Sequence, residues 1–138
     1  MESYINPDRE RFGEFRSIGR EGPIQMLNLV RLKETAVYPD GTMVSGREAY
    51  AAYGRESAPI FKGVGGRIVW TAQFEIGLIG PPEEAWDIAF IAEYPSSDAF
   101  VDMVKNEAYQ KAVLHRTAAV LDSRLVRFEP KANGDVFG

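Results

Sequence analysis

An α+β fold of the ferredoxin-like type follows from three observations. After a short N-terminal helical stretch, the hydrophobic periodicity switches in the order strand, helix, strand, strand, split helix, strand, which is the βαββαβ pattern. The 138 residues, 45% of them hydrophobic, suit a single domain with one core. Residues 86–128 alone read as a buried strand, a capped two-part helical segment and a returning strand, half of such a domain. The expectation is a four-stranded antiparallel sheet with both helices on one face. Residues 1–23 are assigned to an N-terminal helical extension, 24–129 to the domain and 130–138 to a flexible tail.

In chain order, Asn6-Pro7 supplies a cap and a first-turn proline, and Phe12 and Phe15 recur at helical spacing until Gly22-Pro23 stops the run. Residues 24–33 form a strand in which Ile24, Met26, Val30 and Leu32 share one face, with Leu27 and Leu29 on the other. Asn28 falls within the more apolar face. There its amide either bonds to backbone or water, or points into a ligand cavity. Pro39-Asp40-Gly41 marks a loop or small hairpin. Ser45 and Glu48 fit a capping box that opens a helix of about five turns. Its inner stripe carries Ala49, Tyr50, Tyr53, Ser57, Ile60, Phe61 and Val64. Pro59 should kink it, and Gly65-Gly66 ends it.

Residues 67–80 read as a long strand with Ile68, Trp70, Ala72, Phe74 and Ile76 on one face. A Pro-Pro-Glu-Glu connection leads to a strand with Trp86, Ile88, Phe90, Ala92 and Tyr94 facing one way, so the two look like an antiparallel hairpin. Ser96 or Ser97 caps a short helix with Ala99, Phe100, Met103 and Val104 inward, and Asn106 recaps a second piece. In that piece Tyr109, Val113, Arg116 and Val120 lie near one line, placing Arg116 on the inner edge, whereas His115 falls on a neighbouring stripe with Ala112 and Ala119. Asp122-Ser123 leads into a last strand over residues 124–129.

Composition narrows the function classes. Sixteen Lys plus Arg against 20 Asp plus Glu give a net charge of −4, with both signs scattered, which argues against nucleic acid or an anionic membrane as partner. The absence of cysteine removes disulfides, thiolate metal sites and a cysteine nucleophile. The charged N-terminus does not look like a signal peptide, and no apolar run approaches the roughly 20 residues of a membrane span, so a soluble, cytoplasmic protein is expected. The single histidine, His115, rules out a multi-histidine metal site. No G-x-S-x-G elbow is present, and Gly63, Gly65 and Gly66 end a helix rather than following a strand, so neither a serine hydrolase nor a phosphate cradle is expected.

The runs GREAYAAYG, VGGRIVW, WDIAFIAEYPSSDAF and NEAYQKAVLHRTAAVLDSRL resemble the domain-of-unknown-function family 1330, a member of the dimeric α/β-barrel superfamily that includes antibiotic-biosynthesis monooxygenases. The likeness spans about residues 24–128, with the YPS turn, a tyrosine some dozen residues later and the HR pair before DSRL as its marks. It implies a homodimer whose sheets close into a barrel through their helix-free faces. It also implies a pocket between sheet and helices for small, mostly apolar organic molecules, served without a separate cofactor in some relatives and by haem in others.

Such a pocket would be lined by Asn28, Trp70, Trp86, Tyr94, His115 and Arg116, with Tyr50 and Tyr53 opposite. His115 is the natural general base and Asn28 an oxyanion partner. Arg116 would bind a substrate carboxylate or enolate, or else pair with Asp122 or Glu93 to pin the helix to the sheet. Tyr50 and Tyr53 are equally placed as core residues with hydroxyls at the rim. These roles suit a cofactor-independent monooxygenase or isomerase acting on a small aromatic or apolar substrate. The alternative is a non-catalytic dimeric module that binds a ligand or a partner. A haem variant would rest on Asn28, a tryptophan and His115.

Overall fold

The computed structural model describes residues 2–138. Its elements run α1 (Arg9–Ser17), β1 (Ile24–Leu32), β2 (Thr35–Val37), β3 (Met43–Ser45), α2 (Gly46–Gly63), β4 (Arg67–Ala72), β5 (Ile88–Tyr94), α3 (Ser97–Lys105), α4 (Glu107–Ala119) and β6 (Val120–Phe128). Four strands form one antiparallel sheet in the order β4-β5-β1-β6, the ferredoxin-like topology, and β2 with β3 makes a separate small hairpin. Among the described residues no helix is long and apolar enough to cross a membrane.

Local chemistry places most boundaries. Ser45 accepts a hydrogen bond from the Glu48 amide and opens α2, which continues through Pro59 and ends before Gly65 at φ +88°. Asn106 closes α3 and opens α4, accepting from the amides of Ala108 and Tyr109, so one residue splits the helical segment. At the N-terminus the cap is Asp8 rather than Asn6: its carboxylate accepts the Arg11 amide at 2.7 Å, and the helix starts at Arg9. β6 begins at Val120, earlier than expected, because the backbone turns extended directly at the end of α4 and Lys33 donates to the Ala119 carbonyl.

The largest departure is in β4. The sequence alternates without a break, yet the strand stops at Ala72 and carries a bulge: Ile68 lies opposite Ala92 and Trp70 opposite Ile91, so Val69 is the extra residue. Paired residues share a face. Ile68 therefore faces the helices with Ala92, and Trp70 is turned to the helix-free side. On the other edge of β5, Asp87 just before the strand holds to β1, its amide donating to the Val30 carbonyl and its carboxylate accepting the Leu32 amide. Residues 73–87 leave the sheet, and Ile79 at their tip is 98% exposed.

The core lies on the helix side. Ile24 and Met26 of β1 and Ala92 and Tyr94 of β5 pack against Ala99, Phe100 and Met103 of α3. Phe12 and Phe15 of α1 add to this cluster, with ring centroids 6.5 and 5.1 Å from that of Phe100. A second cluster of Ala36, Ala49, Ala118 and Ala119, flanked by Leu32, Tyr38, Val44 and Tyr50, joins the small hairpin to α2 and α4. Small residues there let the two helices approach closely.

Candidate functional site

α2 and α4 lie side by side across the sheet and carry the chemistry-bearing residues between them. The tightest arrangement is a three-membered chain. His115 Nδ1 is 2.6 Å from the Tyr38 hydroxyl, and its Nε2 is 2.7 Å from a carboxylate oxygen of Glu56. A carboxylate can only accept, so Nε2 carries the proton of the neutral ring and Nδ1 is left to accept the Tyr38 O–H. Tyr38 is brought in by the β2–β3 turn, where its amide donates to the Thr42 carbonyl and its carbonyl accepts the Gly41 amide. Burial, with Glu56 and Asp40 adding to it, pushes the Tyr38 phenol above its ordinary range, so it stands as a proton donor to the ring. The His115 side chain is 24% exposed and that of Glu56 52%, which leaves one flank of the chain open to solvent.

A second group sits further in. The Tyr53 and Tyr109 hydroxyls are 2.7 Å apart, and the Tyr50 and Tyr53 rings lie 5.4 Å apart. Burial raises the phenols of Tyr50, Tyr94 and Tyr109, and the Arg116 charge is close enough to oppose this at Tyr50 and Tyr109. The phenols stay protonated and uncharged. Among the described residues Arg116 is not paired with a carboxylate. Its guanidinium donates to the Ile5 carbonyl and, at 3.2 Å, to the Ser123 hydroxyl, while Asp122 is taken by Arg124 and Glu93 by Arg67.

The predicted site residues therefore separate. His115 and Arg116 are consecutive on α4, about 100° apart around its axis, and reach different partners, α2 and the hairpin for one, β6 and the N-terminal segment for the other. Asn28 lies on the helix side of β1, and its amide donates to the Met26 carbonyl at 3.1 Å. Tyr94 is core: its ring meets Phe61 and Phe100 edge-on and its hydroxyl approaches Met103 Sδ at 3.8 Å. Tyr50 and Tyr53 lie together beside Arg116. Both tryptophans lie elsewhere than expected. Trp70 is turned away by the bulge, and Trp86, lying before β5 rather than in it, packs 5.2 Å from the guanidinium of Arg124, a residue opposite Leu29 on the helix-free face. A surface hollow of 350 Å³ near Arg47, Thr71 and Asp87 holds none of the predicted residues.

Sequence reasoning did not select Tyr38 or Glu56. Each is separated from His115 by dozens of residues, and Glu56 stands off the apolar stripe of α2, where a carboxylate reads as solvated surface. The haem variant does not fit: both ring nitrogens of His115 are engaged by Glu56 and Tyr38, leaving neither to ligate iron.

The ancestry of most of the chain can be stated. Residues 42–127 match the profile of a domain of unknown function, DUF1330. The chain belongs to the DUF1330 family. It is similar to RPA0582, a protein of unknown function from Rhodopseudomonas palustris. Against the methylated form of RPA0582 it shows 56% identity over 98% of this chain and 100% of that one, with a TM-score of 0.94. Against a second structure of RPA0582 the identity is 56% over 96% and 100%, with a TM-score of 0.91. The fold is shared more distantly with SnoaB, a cofactor-independent oxygenase from Streptomyces nogalater, at 13% identity over 83% of this chain and 99% of that one and a TM-score of 0.51. No curated protein matches the chain. The DUF1330 match begins beyond Tyr38 and takes in Glu56 and His115, so the hairpin that completes the chain of three groups lies partly outside it.

Proposed function

We propose that this DUF1330 protein is a homodimeric enzyme that moves a proton on a small, largely apolar carbonyl compound without a cofactor. The observation that supports it is the Glu56–His115–Tyr38 chain, in which a carboxylate fixes the imidazole tautomer and the imidazole accepts a phenol proton. The logic is that of an acid–histidine pair activating a terminal hydroxyl. His115 would be the base and Tyr38 the relay: as the proton on carbon next to the substrate carbonyl passes to the Tyr38 oxygen, the Tyr38 O–H proton passes to His115 Nδ1 in the same event, so the phenol never stands as a free phenolate, and Glu56 stabilises the imidazolium. Return of protons along the same path, to the other end of the enolate, completes an isomerisation with no net loss or gain.

SnoaB shows that this fold can host oxygen chemistry without a cofactor. The same carbanion, trapped by dioxygen, would give the oxygenase reading for this chain. The non-catalytic reading takes Tyr38–His115–Glu56 as a clasp holding the hairpin to the helices.

The test is deuterium uptake from D2O into a panel of enolisable aryl ketones, followed by NMR with a parallel oxygen electrode. Wild-type protein should catalyse exchange, and Tyr38→Phe, His115→Gln and Glu56→Gln should each lower it, by roughly 10²–10⁴-fold for the first two. Oxygen consumption in place of exchange would select the oxygenase. No exchange and no oxygen uptake, with the three variants merely loosening the hairpin, would leave the clasp.

A further inference from the structure

Arg116 is a cation held on the inner side of α4 whose partners are all neutral: a backbone carbonyl, a hydroxyl and nearby phenols. A guanidinium fork binds a carboxylate in two parallel bonds, each about twice as strong as one to a neutral acceptor. The Ile5 carbonyl is thus a weak occupant of a strong site. It is held there by the N-terminal segment, which is pinned at two places along β6. At the first, the Tyr4 amide donates to Asp122, the Ser123 hydroxyl donates to the Tyr4 carbonyl, and Arg124 lies 5.1 Å from the Tyr4 ring. At the second, Arg127 donates to the Phe15 carbonyl and its guanidinium lies over the Phe15 ring.

Between the two pins the edge stays open. Leu125 faces the helix side, opposite Asn28, yet is 39% exposed. Arg116 reaches Ser123, two residues before Leu125 on the same face of β6, and its charge acts on Tyr109, whose ring lies 6.1 Å from that of Tyr53. Burial keeps the Tyr109 phenol protonated.

We infer that Arg116 receives the carboxylate of a small aromatic acid, and that residues 4–5 act as a strap whose Ile5 carbonyl stands in for a ligand oxygen until the acid displaces it. This rests on the small-molecule reading above but not on its proton chemistry.

The experiment is an NMR titration of the ¹⁵N-labelled full-length protein with benzoate, phenylacetate and cinnamate, and with benzamide as the uncharged isostere of benzoate, following the Arg116 side-chain Nε–H. Benzoate should saturate and displace that resonance, with benzamide weaker by roughly tenfold or more. Arg116→Gln should bring benzoate down to the benzamide level. Arg116→Lys, which keeps the charge and loses the fork, should bind benzoate less tightly than wild type but still prefer it to benzamide. Ser123→Ala, which unpins Tyr4 and frees one guanidinium contact, should tighten benzoate binding a fewfold. Because the readout is binding and not turnover, failure of the proton-transfer reading would not touch this result. If none of the three acids gives a saturable shift at roughly ten-millimolar concentration, or if Arg116→Gln binds benzoate as wild type does, the carboxylate site is wrong. Weaker binding in Ser123→Ala would overturn the strap.

Discussion

The two faces of the sheet are built from the same strands and finished differently. On the helix side Ile24, Met26, Ala92 and Tyr94 are sealed under α3 and α1, with Ile24 wholly excluded from solvent. On the other side Leu27, Ile91, Val126 and Trp70 share a surface with the Arg67–Glu93 ion pair and Gln25, and Trp70 is 46% and Phe128 50% exposed. An apolar patch bordered by charges is a surface made for a protein partner, and a second copy of this chain is the partner we propose. The comparison teaches that burial within one subunit marks the structural face, whereas exposed aromatics mark the face left to assembly.

Substitution should expose this asymmetry. Ile24→Ala removes a fully buried side chain and should cost about 2–5 kcal/mol in chemical denaturation, with the association state of the refolded protein unchanged. Trp70→Glu should do the reverse, leaving subunit stability within about 0.5 kcal/mol but turning dimer into monomer in light scattering. If Trp70→Glu unfolds the chain outright, or leaves the dimer intact, the division between the two faces fails.

A smaller effect is expected within the helix side. Tyr53→Phe breaks the 2.7 Å hydroxyl pair and leaves the buried Tyr109 hydroxyl without that partner, at a cost of about 1–2 kcal/mol. Tyr53→Phe with Tyr109→Phe should be less damaging than the sum of the single changes, as a double-mutant cycle would show.

The smallest effect is on the pH dependence of stability. Hydrogen bonds from Gln25 and then Arg67 hold the Glu93 carboxyl below its ordinary range. Burial works against the charge of Asp122, but bonds from the Tyr4 amide and Arg124 outweigh it and depress this carboxyl too. A depressed carboxyl contributes stability that is fully present above its unfolded pKa, about 4, and is lost as the pH falls through the folded value. Melting temperature should therefore fall below about pH 4. Asp122→Asn should flatten that fall and release the N-terminal segment, and Glu93→Gln should flatten it without doing so, as amide exchange at Tyr4 would report.

Elements whose signals are local were legible in the sequence. The Ser45 and Asn106 caps, the inner stripe of α2 and the alternation of β1 each follow from neighbours within a turn or a pair of residues. The face of Trp70 was not, because a bulge leaves no trace in an alternation that continues through Ala72, Phe74 and Ile76. The surroundings of His115 were hidden for a different reason. Its partners come from the far side of α2 and from a turn 77 residues away, and only the packing of the small hairpin on Ala118 and Ala119 brings them to it. Asn106 carries its own lesson about Arg116: the extended residue between α3 and α4 fixes where the second helix starts, and so which way each of its side chains points.

One residue in β4 acts as a parity bit for the whole edge. With Val69 left out of the count, Trp70 lies opposite Ile91 and faces outward; were Val69 paired there instead, Trp70 would move on to the place opposite Phe90 and face the helices with Ile68. Deleting Val69 would therefore straighten the strand without moving the indole, whereas closing the bulge with Val69 kept is the change that would carry it to the helix side.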